Sequence, residues 1–227
     1  TDAALVSGGD LAQRRTFYAS LYHAFLMPTV IGDADGRYRL HGMAAPTTAV
    51  GFTPMSDFSL WDTYRTLHPL YAWLAPGSAR DSTGSLAAFA AIGGCPRWPI
   101  AIGESGTMLG ASCDVVIADA AARGVVDHAA TAWPLLRAAA LDPTAPPTGR
   151  GGRDRVEPYM QYGYVPATIG SSVSHTTEYA HDDFALANLA ELEGDTAAAA
   201  TLRARSHGWR MLFDPAVGFL RARNADG

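Results

Sequence analysis

A chain of 227 residues with 48% hydrophobic and 17% charged side chains and a formal net charge of −5 has the apolar material for one packed core. It is too apolar for a disordered or collagen-like chain. All 17 basic residues are Arg, scattered with no basic block to track a phosphate backbone, which excludes nucleic acid as a partner.

Ala fills roughly a fifth of the chain and favours helix. Asp10 is placed to cap a helix in which Leu11, Tyr18, Leu21, Tyr22 and Phe25 recur at helical spacing, and Pro28 stops it. Residues 29–53 read as irregular, with a turn at Asp33-Ala34-Asp35-Gly36 before one strand-like hairpin arm over 37–40. Ser59 caps a helix over 60–74 that Pro69 should kink, and Ser82 caps a shorter one ending at Gly93-Gly94. Residues 95–110, rich in Gly and Pro, read as a structured surface loop. Helices return over 112–123 and 127–141, separated by Gly124. Residues 142–170 form a second long loop, a length often tied to function. Ser174 caps a helix to about 193, Gly194-Asp195 ends it and caps a last helix to about 212, and Asp214-Pro215 turns into a short extension at Phe219-Leu220-Arg221.

About seven helices, joined alternately by tight turns and long loops, read as stacked αα-hairpins. No repeat of fixed period supports a solenoid. The expected fold class is all-α, part of an (α/α) toroid with its long loops at one end, where a site would sit. No stretch approaches the roughly 18 apolar residues of a membrane span, and Thr1-Asp2-Ala3-Ala4 lacks the basic n-region of a signal peptide. An opening without Met and the polar end Asn224-Ala225-Asp226-Gly227 suggest a segment of a longer chain. Cys95 and Cys113 read as two buried free thiols, with a disulfide as the alternative in an exported protein.

Three constellations could carry chemistry. In Ser59-Leu60-Trp61-Asp62-Thr63-Tyr64-Arg65-Thr66-Leu67-His68-Pro69-Leu70, helical spacing puts Trp61, Tyr64, Arg65 and His68 on one face. An indole beside a guanidinium and a carboxylate suits a sugar, whose C–H groups stack on the ring while its hydroxyls bond Asp62 and Arg65. An aromatic core face with an Asp62–Arg65 ion pair is the structural alternative. The loop 93–110 adds Trp98, Glu104 and Met108, apolar and acidic groups that a plain solvent loop seldom carries. Glu104-Ser105-Gly106 is not a nucleophile elbow, because the Ser is not framed as Gly-x-Ser-x-Gly after a strand, which argues against a serine hydrolase. His175, Glu178 and Asp182 fall on one stripe of a helix, as a metal site, an ion-paired face or a polar wall of a sugar pocket. Asp33, Asp35 and Gly36 lack the twelve-residue pattern of an EF-hand and read as a turn.

Taken in order, Tyr18-x-x-Leu21-Tyr22-His23 with Pro28, the string 59–70, the loop 93–110, Tyr162-Gly163-Tyr164-Val165-Pro166, Ser172-Val173-Ser174 with Glu178-Tyr179-Ala180 and Asp182-Asp183, and Phe213-Asp214-Pro215 with Gly218-Phe219 resemble glycoside hydrolase family 92 over almost the whole chain. The resemblance implies a calcium-dependent, exo-acting, inverting α-mannosidase (α-1,2 the expected linkage) with an N-terminal β-sandwich and a C-terminal (α/α)6 toroid. Inversion needs an acid and a base carboxylate about 6.5 to 9.5 Å apart. The family's Glu-Gly-Asn acid segment, Gly-Asn-Glu-Pro-like calcium segment and later Asp-rich base segment do not occur here. The expectation is therefore that residues 1–227 are the first half of a catalytic toroid, with the β-sandwich before Thr1 and the catalytic half and calcium ligands after Gly227.

By resemblance, the segment contributes substrate binding and neither a catalytic nor a metal-binding residue. Asp62 and Arg65 would hold hydroxyls of a terminal mannose and Trp61 would wall that subsite. Glu104 and Met108 would lie near it, and Glu178 and Asp182 would support it from the third constellation. The partners implied are a mannose-containing glycan and the remainder of the chain, and the location is secreted, periplasmic or cell-surface. Two alternatives stand beside this one. The first is a non-catalytic carbohydrate-binding or scaffold module. The second is a complete enzyme using Glu178 and Asp182 as acid and base, although an i, i+4 pair lies only about 5 to 6 Å apart at Cβ.

Overall fold

The computed structural model describes residues 4–142, 144 and 152–227. Asp10 caps α1 (Leu11–Ala24) as its spacing predicts, accepting from the Gln13 N–H while the Gln13 side chain accepts from the Asp10 N–H. Four two-residue strands follow, β1 (Thr29–Val30), β2 (Arg37–Tyr38), β3 (Thr47–Thr48) and β4 (Met55–Ser56), with β1 antiparallel to β4 and β2 to β3. The hairpin arm at residue 37 and the Asp33 turn are thus where the sequence placed them.

The continuous helix expected over 60–74 is broken into α2 (Leu60–Thr63) and α3 (Leu67–Leu74). The cause is Pro69, whose ring would clash with the carbonyl of Arg65, so the chain leaves the helix at 64–66 and restarts with Pro69 in the first turn. Ser59 makes no side-chain cap bond; at φ +49° it turns its hydroxyl to Asp62. The next helix, α4 (Pro76–Gly93), begins well ahead of Ser82 because Pro76 occupies its start, where a missing N–H is harmless. Ser82 is buried within it.

Strands β5 (Pro99–Ile100) and β6 (Gly103–Glu104) form a small hairpin inside the loop 95–110. Helices α5 (Ser112–Ala122) and α6 (Ala129–Leu141) match expectation. The stretch read as loop over 142–170 contains α7 (Val156–Tyr162), and its residues 143 and 145–151 lie outside the described residues. Helix α8 (Ser172–Leu192) starts after Ser171 in the left-handed region, leaving Ser174 an exposed residue of its first turn. Asp195 caps α9 (Thr196–Arg205), accepting from Ala198 N–H at 3.0 Å. That helix stops short of 212, and a 3-10 turn (Gly208–Leu212) follows, in which a side chain at Gly208 would collide with the Gly163 carbonyl. Strands β7 (Phe213–Asp214) and β8 (Phe219–Leu220) close the chain as a hairpin.

The architecture is all-α, with nine α-helical segments among the described residues. Leu86, Ile117, Leu136, Leu186, Leu189 and Leu202 are fully buried between α4, α5, α6, α8 and α9, each stabilising the fold by about 1.5–3 kcal/mol. Ala118, Ala132, Ala187 and Ala190 let the helices approach closely. A polar core lies beside this apolar one. Arg153, 3% exposed, pairs with Asp114 at 3.0 Å and with Asp183, which also takes Arg205 at 2.5 Å and the Tyr159 hydroxyl at 3.1 Å.

The expectation of two free thiols is overturned. The end of α4 and the start of α5 run side by side, bringing the Cα atoms of Cys95 and Cys113 to 5.7 Å, and the two are joined in a disulfide. The loop 95–113 is therefore closed on itself.

Candidate functional site

The helix break caused by Pro69 decides the first constellation. His68 leaves the shared face and is buried against the Phe58 and Tyr71 rings, at 6.1 and 5.8 Å. Trp61, Tyr64 and Arg65 stay together in the turn, the guanidinium lying 4.9 Å from the Trp61 ring centroid and 4.5 Å from that of Tyr64. The cation thereby lies over aromatic surface. Its Nη2 faces Glu178 Oε1 of α8 at 3.8 Å, and the Tyr64 ring stacks on His181 of the same helix at 5.4 Å.

Asp62 is exposed beside this cluster. Its Oδ2 accepts from Ser59 Oγ at 2.7 Å and from Trp98 Nε1 at 2.9 Å. Those two bonds, with the nearby Arg65 charge, hold its carboxyl below the usual carboxylate range. It is an ionised acceptor at neutral pH.

Glu104 is engaged within its own loop. Its Oε2 accepts from the Arg97 and Trp98 backbone N–H groups at 2.6 and 3.1 Å, and its Oε1 from Gly106 N–H at 3.0 Å. The carboxylate clasps its own loop. Met108, 38% exposed at φ +60°, lies farther along that loop.

Glu178 and Asp182 come together at Gly110. A Cβ there would sit 3.2 Å from Glu178 Oε2 and 3.3 Å from Asp182 Oδ2, with its φ of +78° also restricting the position to glycine. Asp182 accepts from Ala111 N–H at 2.7 Å and is 0% exposed, so it grips the loop and reaches no solute. Burial drives its carboxyl well above the ordinary range. Burial likewise raises Glu178, against the opposing pull of Arg65 and Trp61. Glu178 Oε2 and Asp182 Oδ1 have no hydrogen-bond partner among the described residues. His175, one helical turn away, is buried beside the Tyr179 ring at 5.9 Å.

The structure thus brings Trp61, Asp62, Arg65 and Glu178 to one place, with Trp98 bonded to Asp62. It sets Glu104 and Asp182 beneath, as loop anchors. No group of three or more His, Cys, Asp or Glu side chains among the described residues could hold a metal ion. Sequence reasoning missed the Trp98 bond and the Tyr64–His181 stack. The signal for the first was a Trp in a Gly/Pro loop, a donor with no helical partner.

Helical hairpins whose loops converge on an indole, a guanidinium and carboxylates put the chain in the class of (α/α) toroid segments. Within that class it belongs to glycosyl hydrolase family 92, whose catalytic-domain model matches residues 2–227. The family GH92 alpha-mannosidase BT3965 from Bacteroides thetaiotaomicron is 30% identical and superposes with a TM-score of 0.88, over 97% of this chain and 29% of that one. The same enzyme in complex with mannoimidazole gives 30% identity and a TM-score of 0.85, over 94% of this chain and 28% of that one. The family GH92 inverting mannosidase BT2199 from Bacteroides thetaiotaomicron VPI-5482 is 28% identical with a TM-score of 0.88, over 100% of this chain and 31% of that one. The chain spans less than a third of the length of these relatives. No curated protein sequence matches it.

Proposed function

We propose that residues 1–227 are the first half of the catalytic toroid of an inverting, exo-acting α-mannosidase acting on α-1,2-linked terminal mannose, and that this half holds the substrate. The observation that carries the reading is the exposed Asp62 carboxylate beside an Arg65 guanidinium laid on Trp61. Asp62 accepts from sugar hydroxyls, Arg65 donates to them, and the indole covers C–H groups of the ring. Charged contacts of this kind contribute about 1.5–3 kcal/mol each. The solved relatives that resemble the chain are named as mannosidases, which supports mannose as the sugar.

The acid and base belong to the following half, and so do the ligands for calcium. The carboxylates here do not fit that ion: Glu104 is spent on backbone N–H groups, Asp182 is buried and holds the Ala111 N–H, and Asp62 and Glu178 point to different partners. No step is therefore routed through calcium in this segment. A disulfide at Cys95–Cys113 supports export to an oxidising compartment, in keeping with a secreted, periplasmic or cell-surface protein. No helix among the described residues is long and apolar enough to cross a membrane.

The test is incubation of the full chain with an α-1,2-linked mannobiose and calcium, followed by NMR of the released sugar. Release of mannose with inverted anomeric configuration, stopped by a chelator, is the expected result. Binding without release in the full chain would leave a carbohydrate-binding module.

A further inference from the structure

We propose that Trp98 is the positioning residue for the Asp62 carboxylate: its indole N–H fixes which oxygen faces a sugar hydroxyl, and the tethered loop that carries it keeps that N–H in place. The proposal rests on the reading of Asp62 as a substrate-holding residue.

Asp62 sits on a helix of four residues, α2, which offers little to aim an exposed side chain. Both of its donors, Ser59 Oγ and Trp98 Nε1, land on Oδ2. No side chain among the described residues donates to Oδ1. Two donors on one oxygen stop rotation of the carboxylate and leave the other oxygen for a ligand. Trp98 is the donor that comes from outside α2 and its cap.

The loop around Trp98 is fixed from several directions. The disulfide closes its two ends. Glu104 takes the Trp98 backbone N–H, so both N–H groups of this residue are directed by carboxylates. Asp57 accepts from Ala101 N–H at 2.8 Å, Arg97 pairs with Asp154 at 3.1 Å, and Gly152 N–H donates to the Cys95 carbonyl at 2.8 Å. At the far end Asp182 holds Ala111. A ring that only filled space would be anchored by apolar burial, whereas Trp98 is half-buried and anchored by directed polar bonds.

The charged group acting on Asp62 from its own turn is Arg65. From the packed elements Glu104 faces Trp98, and Glu178 acts through Arg65. Removing the Trp98 donor raises the pH at which Asp62 takes up its proton.

The test is calorimetric binding of methyl α-mannopyranoside to the full chain from about pH 4 to pH 7. Wild type is compared with Trp98→Phe, Asp62→Asn, and a chain carrying benzothienylalanine at position 98, an isostere that keeps the bicyclic ring and lacks only the N–H. Trp98→Phe and the isostere should weaken binding roughly tenfold at neutral pH, with the deficit growing as the pH falls. Wild-type affinity and pH dependence in the isostere, with loss in Asp62→Asn, would overturn the proposal alone. Unchanged binding in Asp62→Asn would overturn the site reading and the proposal with it. Should Trp98→Phe fail to fold, the isostere decides.

Discussion

Helix α1 carries a complete capping box and buries none of its 14 residues, with Leu11, Phe17 and Tyr22 all exposed. Helix α8 starts from a left-handed Ser171 with no side-chain cap, yet twelve of its 21 residues are buried, and three of them, Tyr179, Asp182 and Asp183, bind other elements. The difference separates two kinds of information. Local chemistry decides where a helix begins, and what other elements bring to its faces decides how much it stabilises and which side chains it can hold for a site.

The largest expected effect that would sharpen the comparison is on α8. Asp183→Ala leaves Arg153 buried without one of its two carboxylates and removes the acceptor for Arg205 and Tyr159. A loss of about 3–5 kcal/mol in chemical unfolding is expected. A loss below about 1 kcal/mol would mean that the network contributes no more than a surface pair.

Next is a pH effect from His68. Burial lowers its pKa to about 4, against an unfolded value of about 6.5. The unfolded chain therefore binds the proton first as pH falls, so stability is full above about pH 6.5 and is lost progressively down to about pH 4. The loss is on the order of 3 kcal/mol. His68→Phe should flatten this part of the stability–pH curve, and an unchanged curve would contradict the assignment.

A comparable loss, about 3 kcal/mol, is expected when Cys95 and Cys113 are both replaced by Ala, since a loop of this length is freed in the unfolded chain. The smallest effect is at α1. Asp10→Ala should cost about 1 kcal/mol and fray that helix in hydrogen exchange, leaving α8 protection unchanged. Loss of α8 protection on removing the α1 cap would break the contrast.

The parts of the fold that were legible in the sequence are those written in local spacing: Asp10 and Asp195 as caps, the hairpin arm at residue 37, and the limits of α5 and α6. Pro69 was read as a kink and proved to be a break, which moved His68 from the site into the core. The start of α4 at Pro76 was hidden by a plausible cap at Ser82. At the site, Trp61, Asp62, Arg65 and Glu178 could be picked out by residue type. Their support could not. The Trp98–Asp62 bond spans 36 residues, and the Ala111–Asp182 bond 71. No periodicity reaches that far, and the choice between thiols and a disulfide likewise depended on how two helix ends met.

The most direct test of the central claim is Asp62→Ala in the full chain, with mannose release from an α-1,2-linked mannobiose measured beside unfolding. Loss of more than about tenfold in kcat/KM, with unfolding unchanged, is the predicted result. Near wild-type release from a folded Asp62→Ala protein would contradict the assignment of this segment as the substrate-holding half.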